Sequence, residues 1–387
     1  MKSPRITALF ASTIFFSGAS FAAMTPYRAI VGVETLGLSN AAFGLIIALN
    51  AIGGLLISVL LGWLSDKVND RRILALICAI GGALGFVLVW GFRTPVGYAT
   101  AFCLLIPFGN ALFSQSFSMS RAFYDREEPD RSQLMMSFLR TGFTLAWIGV
   151  PPLAGWLAAS QSAYAVFGIS AVAHVGCSIA IALLWTDPRS KVGVPKGDDA
   201  PAERPNVPRD KWFGILGVTL SATALQLNIS VLPLVIVSDM SGTLAQVGIL
   251  SGVAAAIEVP VMIGWGYLAL RWRKERILGI ASAVFAAYFV GVVFAGSFVE
   301  LLALQVLAAI AIAAILSVNI SYLQEAIPGR VGLSTSLVDV TTIAASLTAA
   351  AIFALNPWDG YAPLMMVAAA ISLIGVGAFV LAQRLSA

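Results

Sequence analysis

Three ionisable side chains lie deep inside long apolar stretches of the sequence: Arg140, Glu258 and Asp339. An ionised group at the centre of a membrane-spanning helix costs at least about 2.5 kcal/mol, so such residues normally line a water-filled cavity or pair with one another. A guanidinium donates paired hydrogen bonds, and a carboxylate accepts them or carries a proton. We expect Arg140 and Glu258 to bind a polar solute and Glu258 and Asp339 to carry coupling protons. Alternatively, Asp339 pairs with Arg140 or is simply exposed to water.

Neutral polar side chains in the apolar stretches favour an uncharged, hydroxyl-rich solute. Trp147 follows Arg140 by two helical turns on the same face, and an indole can stack on the apolar face of a sugar ring. Amides both donate and accept, which suits a polyol, but they also hold membrane helices together, and either role is open for each residue. The candidate amides for binding such a solute are Asn50, Asn110, Gln115, Gln226, Asn228 and Asn319.

The composition excludes several classes of protein. Of 387 residues, 59% are apolar and 11% are charged, with a mean hydropathy of +0.91, so a soluble domain or a nucleic-acid-binding protein is not expected. There is no G-x-x-x-x-G-K-[ST] motif and no H-E-x-x-H motif, and His174 is the only histidine. We therefore predict no enzyme activity, no cofactor and no metal, with His174 a core residue. The three cysteines (Cys78, Cys103 and Cys177) lie within apolar segments as small core residues.

Apolar runs of spanning length predict an all-α membrane protein of twelve transmembrane helices in two six-helix bundles. The first run resembles a signal peptide but is too long for one, so we interpret it as an uncleaved helix. A charged, proline-rich stretch in the middle of the chain predicts a flexible linker. The expected bundles are 1–186 and 212–387, joined by a linker at 187–211. The helices are expected at 6–30, 39–63, 73–92, 97–119, 133–158, 163–185, 212–237, 244–270, 277–297, 300–322, 332–355 and 362–382.

Basic residues are distributed unequally between the two sides of the predicted membrane. Of 23 lysines and arginines, 20 fall at the termini and in the connections on one side, whereas Arg28 and Arg93 alone fall on the other. Cytoplasmic loops carry this excess of positive charge. We therefore expect a multi-pass protein of the bacterial inner membrane with both termini in the cytoplasm.

An internal repeat supports the division into two halves. The segment 62–74, which follows the second apolar run, matches the segment 266–278, which follows the eighth, at a constant offset of 204 residues. A glycine, two leucines, a basic residue, an arginine and an isoleucine coincide without a gap. Parallel repeats of this kind are known in transporters, whose sites lie near the middle of the membrane.

The loop after the second helix resembles the G-x-L-x-D-x-x-x-x-R-R signature of the major facilitator superfamily, although Asn69 stands where the family usually has glycine. The resemblance implies that the loop acid locks one state against the start of the eleventh helix, with Arg121 as a second partner. It also implies transport by alternating access between the halves. The implied gating residues are Gly62, Asp66, Arg71, Arg72 and Arg121.

Four further segments are similar to bacterial sugar efflux transporters: 137–154, 254–262, 324–330 and 50–53. This narrower resemblance implies a secondary transporter that exports sugars such as lactose, glucose or thiogalactosides, with proton antiport the expected coupling. The implied partners are a small sugar, protons and the lipid bilayer. A multidrug efflux transporter of the same superfamily is the alternative, although drug sites usually contain fewer amides.

Overall fold

The structure, a computed structural model, describes residues 3–65, 67–193, 209–326 and 331–385. Within these ranges the regular elements are helices and there is no β-strand; twelve segments are long and apolar enough to cross a membrane. The predicted all-α architecture with twelve spanning helices is confirmed. In chain order the helices are α1 (Pro4–Met24), α2 (Asn40–Ser65), α3 (Arg71–Phe92), α4 (Pro95–Glu127), α5 (Ser132–Ser160), α6 (Ala165–Leu184), α7 (Arg209–Leu234), α8 (Leu244–Leu268), α9 (Lys274–Phe294), α10 (Phe298–Glu325), α11 (Val331–Ala354) and α12 (Ala362–Leu385).

Several helices begin where the sequence supplies a capping side chain. The Thr94 hydroxyl accepts from the Gly97 amide ahead of α4, and Ser297 accepts from the Glu300 amide at the start of α10. Thr243 and Gln246 form a reciprocal capping box at the start of α8. These bonds satisfy amide groups that have no partner within the helix, and they fix where each helix starts.

Large apolar side chains cover much of the outer surface. Val172 is 73% exposed, Ile263 72% and Phe294 78%. In water such a surface would promote aggregation, whereas in a bilayer it faces lipid tails. The helices therefore satisfy their backbone internally and present an apolar exterior, as a membrane requires.

The chain divides into two compact units. Unit 1 comprises Met1–Leu38 and Leu49–Ala200; unit 2 comprises Ser39–Ala48 and Pro201–Ala387. Within unit 1, α1 packs on α5 and α6, and α3 packs on α4 and α6. Within unit 2, α7 packs on α11 and α12, and α9 packs on α10 and α12. Each pairing in one unit thus has its equivalent six helices later in the other.

A π-helical turn follows the first helix of each unit. It spans Ile30–Thr35 in unit 1 and Val235–Asp239 in unit 2, with bonds from Leu36 N to Val31 O and from Met240 N to Val235 O. The two turns lie at equivalent places in the 204-residue repeat, although their sequences differ. The repeat therefore extends to backbone detail that residue identity did not indicate.

Candidate functional site

Two of the candidate amides contact each other in unit 1. Asn110 Nδ2 on α4 lies 3.3 Å from Asn50 Oδ1 on α2, and Asn50 Nδ2 donates to the carbonyl of Phe102 at 2.7 Å. Asn50 is buried, whereas Asn110 is half-buried. The structure therefore places Asn50 in contacts within the protein and leaves part of Asn110 accessible.

Arg140 and Trp147 lie on one face of α5, as the sequence predicts. The Arg140 guanidinium is exposed, with its central carbon 5.9 Å from the centre of the Phe117 ring on α4. Trp147 is half-buried. This cation–π contact does not use the N–H groups of the guanidinium as hydrogen-bond donors. Arg140 can therefore donate to a solute and keep its contact with Phe117.

An aromatic cluster adjoins Arg140 in unit 1. Phe113 lies 4.6 Å from Phe117 and 4.6 Å from Phe143, measured between ring centres, so the cluster joins α4 and α5. Gln115, also on α4, is half-buried. Sequence analysis did not identify these phenylalanines, because aromatic residues at helical spacing are common in any apolar helix.

In unit 2, Asn228 belongs to a buried network of three helices. The Tyr288 hydroxyl on α9 donates to Asn228 Oδ1 on α7 at 3.0 Å, and the Gln305 side chain on α10 also bonds to this hydroxyl. Gln305 Nε2 donates in turn to the Leu301 carbonyl at 3.1 Å. A satisfied network of this kind fixes the packing of the helices that it joins.

The other candidates in unit 2 differ in their exposure. Glu258 is half-buried on α8, two residues before Pro260, and Gln226 on α7 is also half-buried. Asn319 on α10 is buried, and its Oδ1 has no hydrogen-bond partner among the described residues. Asp339 on α11 is exposed. Glu258, Gln226 and Asp339 thus retain accessible polar surface.

The arginine pair of the loop signature makes extensive contacts in unit 1. Arg72, which is 4% exposed, forms a fork to the Asp70 carboxylate, with the shortest bond 2.6 Å. Its Nη1 also donates to the Leu184 carbonyl at the end of α6 and to the Ser190 hydroxyl. Its guanidinium carbon lies 4.8 Å from the centre of the Trp185 ring. Arg72 therefore ties the start of α3 to the end of α6.

Burial opposes ionisation of Asp70, but the hydrogen bonds and charge of Arg72 outweigh it and lower the pKa of this carboxyl below its usual value. Arg72 supplies a cation and donors where α6 leaves its last carbonyls unpaired. The Asp70 carboxyl is therefore ionised at physiological pH.

The chain after α6 is held against unit 1 as far as Val192. Arg126 at the end of α4 donates to the carbonyls of Arg189 and Lys191, the latter at 2.8 Å. The Arg71 amide donates to the Val192 carbonyl at 3.2 Å, and Val192 is buried in the core of the unit. We call residues 185–192 the docked segment. Of the predicted linker 187–211, residues 194–208 lie outside the described residues.

The remaining gating candidates lie near this end of unit 1. The Arg71 side chain donates to the Ser118 hydroxyl at 2.8 Å, and Arg121 is exposed, with its Nε 3.6 Å from an Asp125 carboxylate oxygen. Within the described ranges, no atom lies within 4 Å of a Cβ added at Gly62. Asp66 lies outside the described residues.

His174 is fully buried on α6, between glycines of two other helices. A Cβ on Gly82 of α3 would collide with its ring, and a Cβ on Gly109 of α4 would lie 3.0 Å from its Nε2. The Phe86 ring lies 5.1 Å away. The two glycines thus leave the space that the imidazole fills, and among the described residues no cluster of three acids, cysteines or histidines could hold a metal.

Comparison with known proteins decides the family. Residues 8–215, more than half of the chain, match the family model of the Major Facilitator Superfamily. The chain belongs to this superfamily. Its members are transporters, so the prediction that the chain is not an enzyme is confirmed, and with its twelve spanning helices it is a multi-pass membrane protein.

Relatives with assigned names agree with the narrower resemblance. The chain is 29% identical to sugar efflux transporter B of Salmonella typhimurium, over 84% of this chain and 81% of that protein. It is 28% identical to sugar efflux transporter A of Escherichia coli, over 86% and 84%. Among solved structures, the nucleoside transporter NupG superposes with a TM-score of 0.78 over 98% of this chain and 99% of that one, at 13% identity. The last comparison establishes the fold alone.

Proposed function

We propose that this chain is a sugar transporter that exports its substrate across the bacterial inner membrane by alternating access. The similarity to sugar efflux transporters A and B, which extends over more than four-fifths of the chain, is the observation that carries the proposal. The 20 basic residues on one side support an orientation with both termini in the cytoplasm.

The side chains on α5 supply the chemistry that sugar recognition requires. Arg140 offers a fork of donors to neighbouring hydroxyls, and Trp147 offers an apolar ring face two turns away. Both residues are at least partly accessible within unit 1. The further proposed sugar ligands are Asn110, Gln115, Gln226, Asn228, Glu258 and Asn319.

We infer that protons drive export, with Glu258 as the proton carrier and Asp339 as the second acid. A carboxyl on a spanning helix is costly unless it has a function, and Glu258 lies at the middle of α8 beside a proline. Protonation of Glu258 would remove a hydrogen-bond acceptor and a charge together, so sugar and proton would compete for the same group.

Counterflow with purified protein tests whether sugar is transported at all. Proteoliposomes are loaded with unlabelled lactose and diluted into labelled lactose, so that label accumulates only if the protein exchanges the sugar. We expect accumulation above that of protein-free liposomes, reduced in Arg140→Ala. Absence of lactose and thiogalactoside exchange, with exchange of a cationic dye instead, would favour the multidrug alternative.

A further inference from the structure

Pro107 leaves one backbone carbonyl of α4 without a helical donor. Residues Ala101–Leu105 form a π-helical turn, in which the N–H of Ile106 donates to the carbonyl of Ala101. With that spacing the Phe102 carbonyl would accept from residue 107, but proline has no N–H. In a membrane-spanning helix water is not available to replace the missing bond, so another protein group must supply it.

Asn50 supplies that donor from α2. Its Nδ2 lies 2.7 Å from the Phe102 oxygen, and the side chain is buried. Gly53, one turn further along α2, allows the close approach, because a Cβ there would lie 3.0 Å from the Pro107 ring. The glycine, the proline and the amide therefore form one interlocking contact between α2 and α4.

The other polar atom of Asn50 is also engaged within the protein. Its Oδ1 accepts from Asn110 Nδ2 at 3.3 Å. Asn110 lies one turn beyond Pro107 and is half-buried. Its Nδ2 bonds to Asn50, but its side-chain oxygen Oδ1 has no hydrogen-bond partner among the described residues. Asn50 thus has one bond to each of two protein groups, whereas Asn110 keeps hydrogen-bonding capacity for a solute.

We propose that Asn50 is a positioning residue and not a sugar ligand. Its Nδ2 donates to the Phe102 carbonyl, which Pro107 leaves without a helical donor. Its Oδ1 accepts from Asn110 and so orients that side chain toward the sugar. The second half of this proposal rests on the proposed sugar transport, whereas the first half does not.

A double-mutant comparison separates the two roles. Asn50→Ala should lower the Tm of the purified protein by about 3 °C, as expected for the loss of one hydrogen bond from a unit of this size. It should also raise the KM for lactose counterflow roughly fivefold, the change that corresponds to about 1 kcal/mol. In Pro107→Ala the restored N–H can donate to the Phe102 carbonyl. Adding Asn50→Ala to Pro107→Ala should therefore lower the Tm little further. The KM should still rise, because Asn110 lacks its partner.

Two further variants calibrate the result. Asn110→Ala should raise the KM to at least the same extent. Ser114→Ala should change neither quantity, because among the described residues its hydroxyl bonds to its own helix alone, at the Ala111 carbonyl. An unchanged Tm in Asn50→Ala, or an equal loss of Tm with and without Pro107, would overturn the carbonyl contact.

An unchanged KM with a lowered Tm in Asn50→Ala would overturn the positioning role. If the wild-type protein transports no sugar, the positioning role fails together with the proposed function. The Tm comparison would then still decide the carbonyl contact.

Discussion

Arg72 is expected to be the largest single electrostatic contribution to the stability of unit 1. Its side chain is 5% exposed and that of Asp70 is 13% exposed. Removing one partner of a buried ion pair leaves the other charge uncompensated, at a cost of about 3–5 kcal/mol. Arg72→Ala should therefore lower the free energy of unfolding by this amount. Arg72→Lys should lose less, because it keeps the charge but not the fork.

The assay is thermal unfolding in detergent combined with brief trypsin digestion. Arg126 donates to the carbonyls of Arg189 and Lys191. Trypsin cleaves the peptide bonds that these two carbonyls belong to. Arg72→Ala should release the docked segment, so that fragments ending at Arg189 and Lys191 appear early. Arg131→Ala removes an exposed arginine in the turn between α4 and α5; it is the matched control and should change stability by less than about 0.5 kcal/mol.

The pH dependence follows from the lowered pKa of Asp70. Because the pKa of Asp70 is lower in the folded than in the unfolded protein, its ionised carboxylate stabilises the fold. This contribution is complete at pH values above the unfolded pKa of about 3.9, and it is lost as the pH falls through the folded pKa. The difference between wild type and Arg72→Ala should therefore be the same at pH 6 and pH 8. A stability loss under about 1 kcal/mol, or unchanged digestion in Arg72→Ala, would show that the Arg72–Asp70 pair does not hold the docked segment on unit 1.

Three other predictions concern packing, sugar binding and coupling. Gly82→Ala would press against the buried His174 ring and should destabilise the protein by about 1–3 kcal/mol, whereas Gly91→Ala, which has open space, should be neutral in the same thermal unfolding assay. Trp147→Ala should raise the KM for lactose counterflow about fivefold with partial recovery in Trp147→Phe, because stacking on a sugar face is worth about 1 kcal/mol. An unchanged KM would remove Trp147 from the site. Glu258→Gln should abolish flux driven by a pH gradient while leaving sugar exchange intact, and pH-driven flux that persists in this variant would exclude Glu258 as the proton carrier.

The helices and the repeat could be predicted from sequence because one physical requirement dominates in lipid. Backbone groups must bond within the chain, so a run of about 20 apolar residues is a helix almost irrespective of its neighbours. The loop signature, its displaced copy at 266–278 and the twelve apolar runs then pointed to the superfamily that the family model confirms.

The roles of individual polar residues could not be predicted in the same way. Pro107 in an apolar helix indicates an unpaired carbonyl, but only the packing of α2 on α4 shows that Asn50 fills it. Arg72 was identified from the loop signature as a gating residue, yet its described contacts are with Asp70, the end of α6 and the docked segment. The charge and proline content of the linker gave no indication that Ser190 and Val192 are buried. Such partners depend on contacts between residues far apart in the chain.

Sugar uptake into everted membrane vesicles tests whether this protein exports sugar in exchange for protons. Vesicles from cells that produce the protein are given labelled lactose or thiogalactoside, with and without an imposed pH gradient that is acidic inside. We predict accumulation that depends on the gradient and is absent from vesicles lacking the protein. No sugar accumulation, together with gradient-driven movement of a cationic dye, would contradict proton-coupled sugar export.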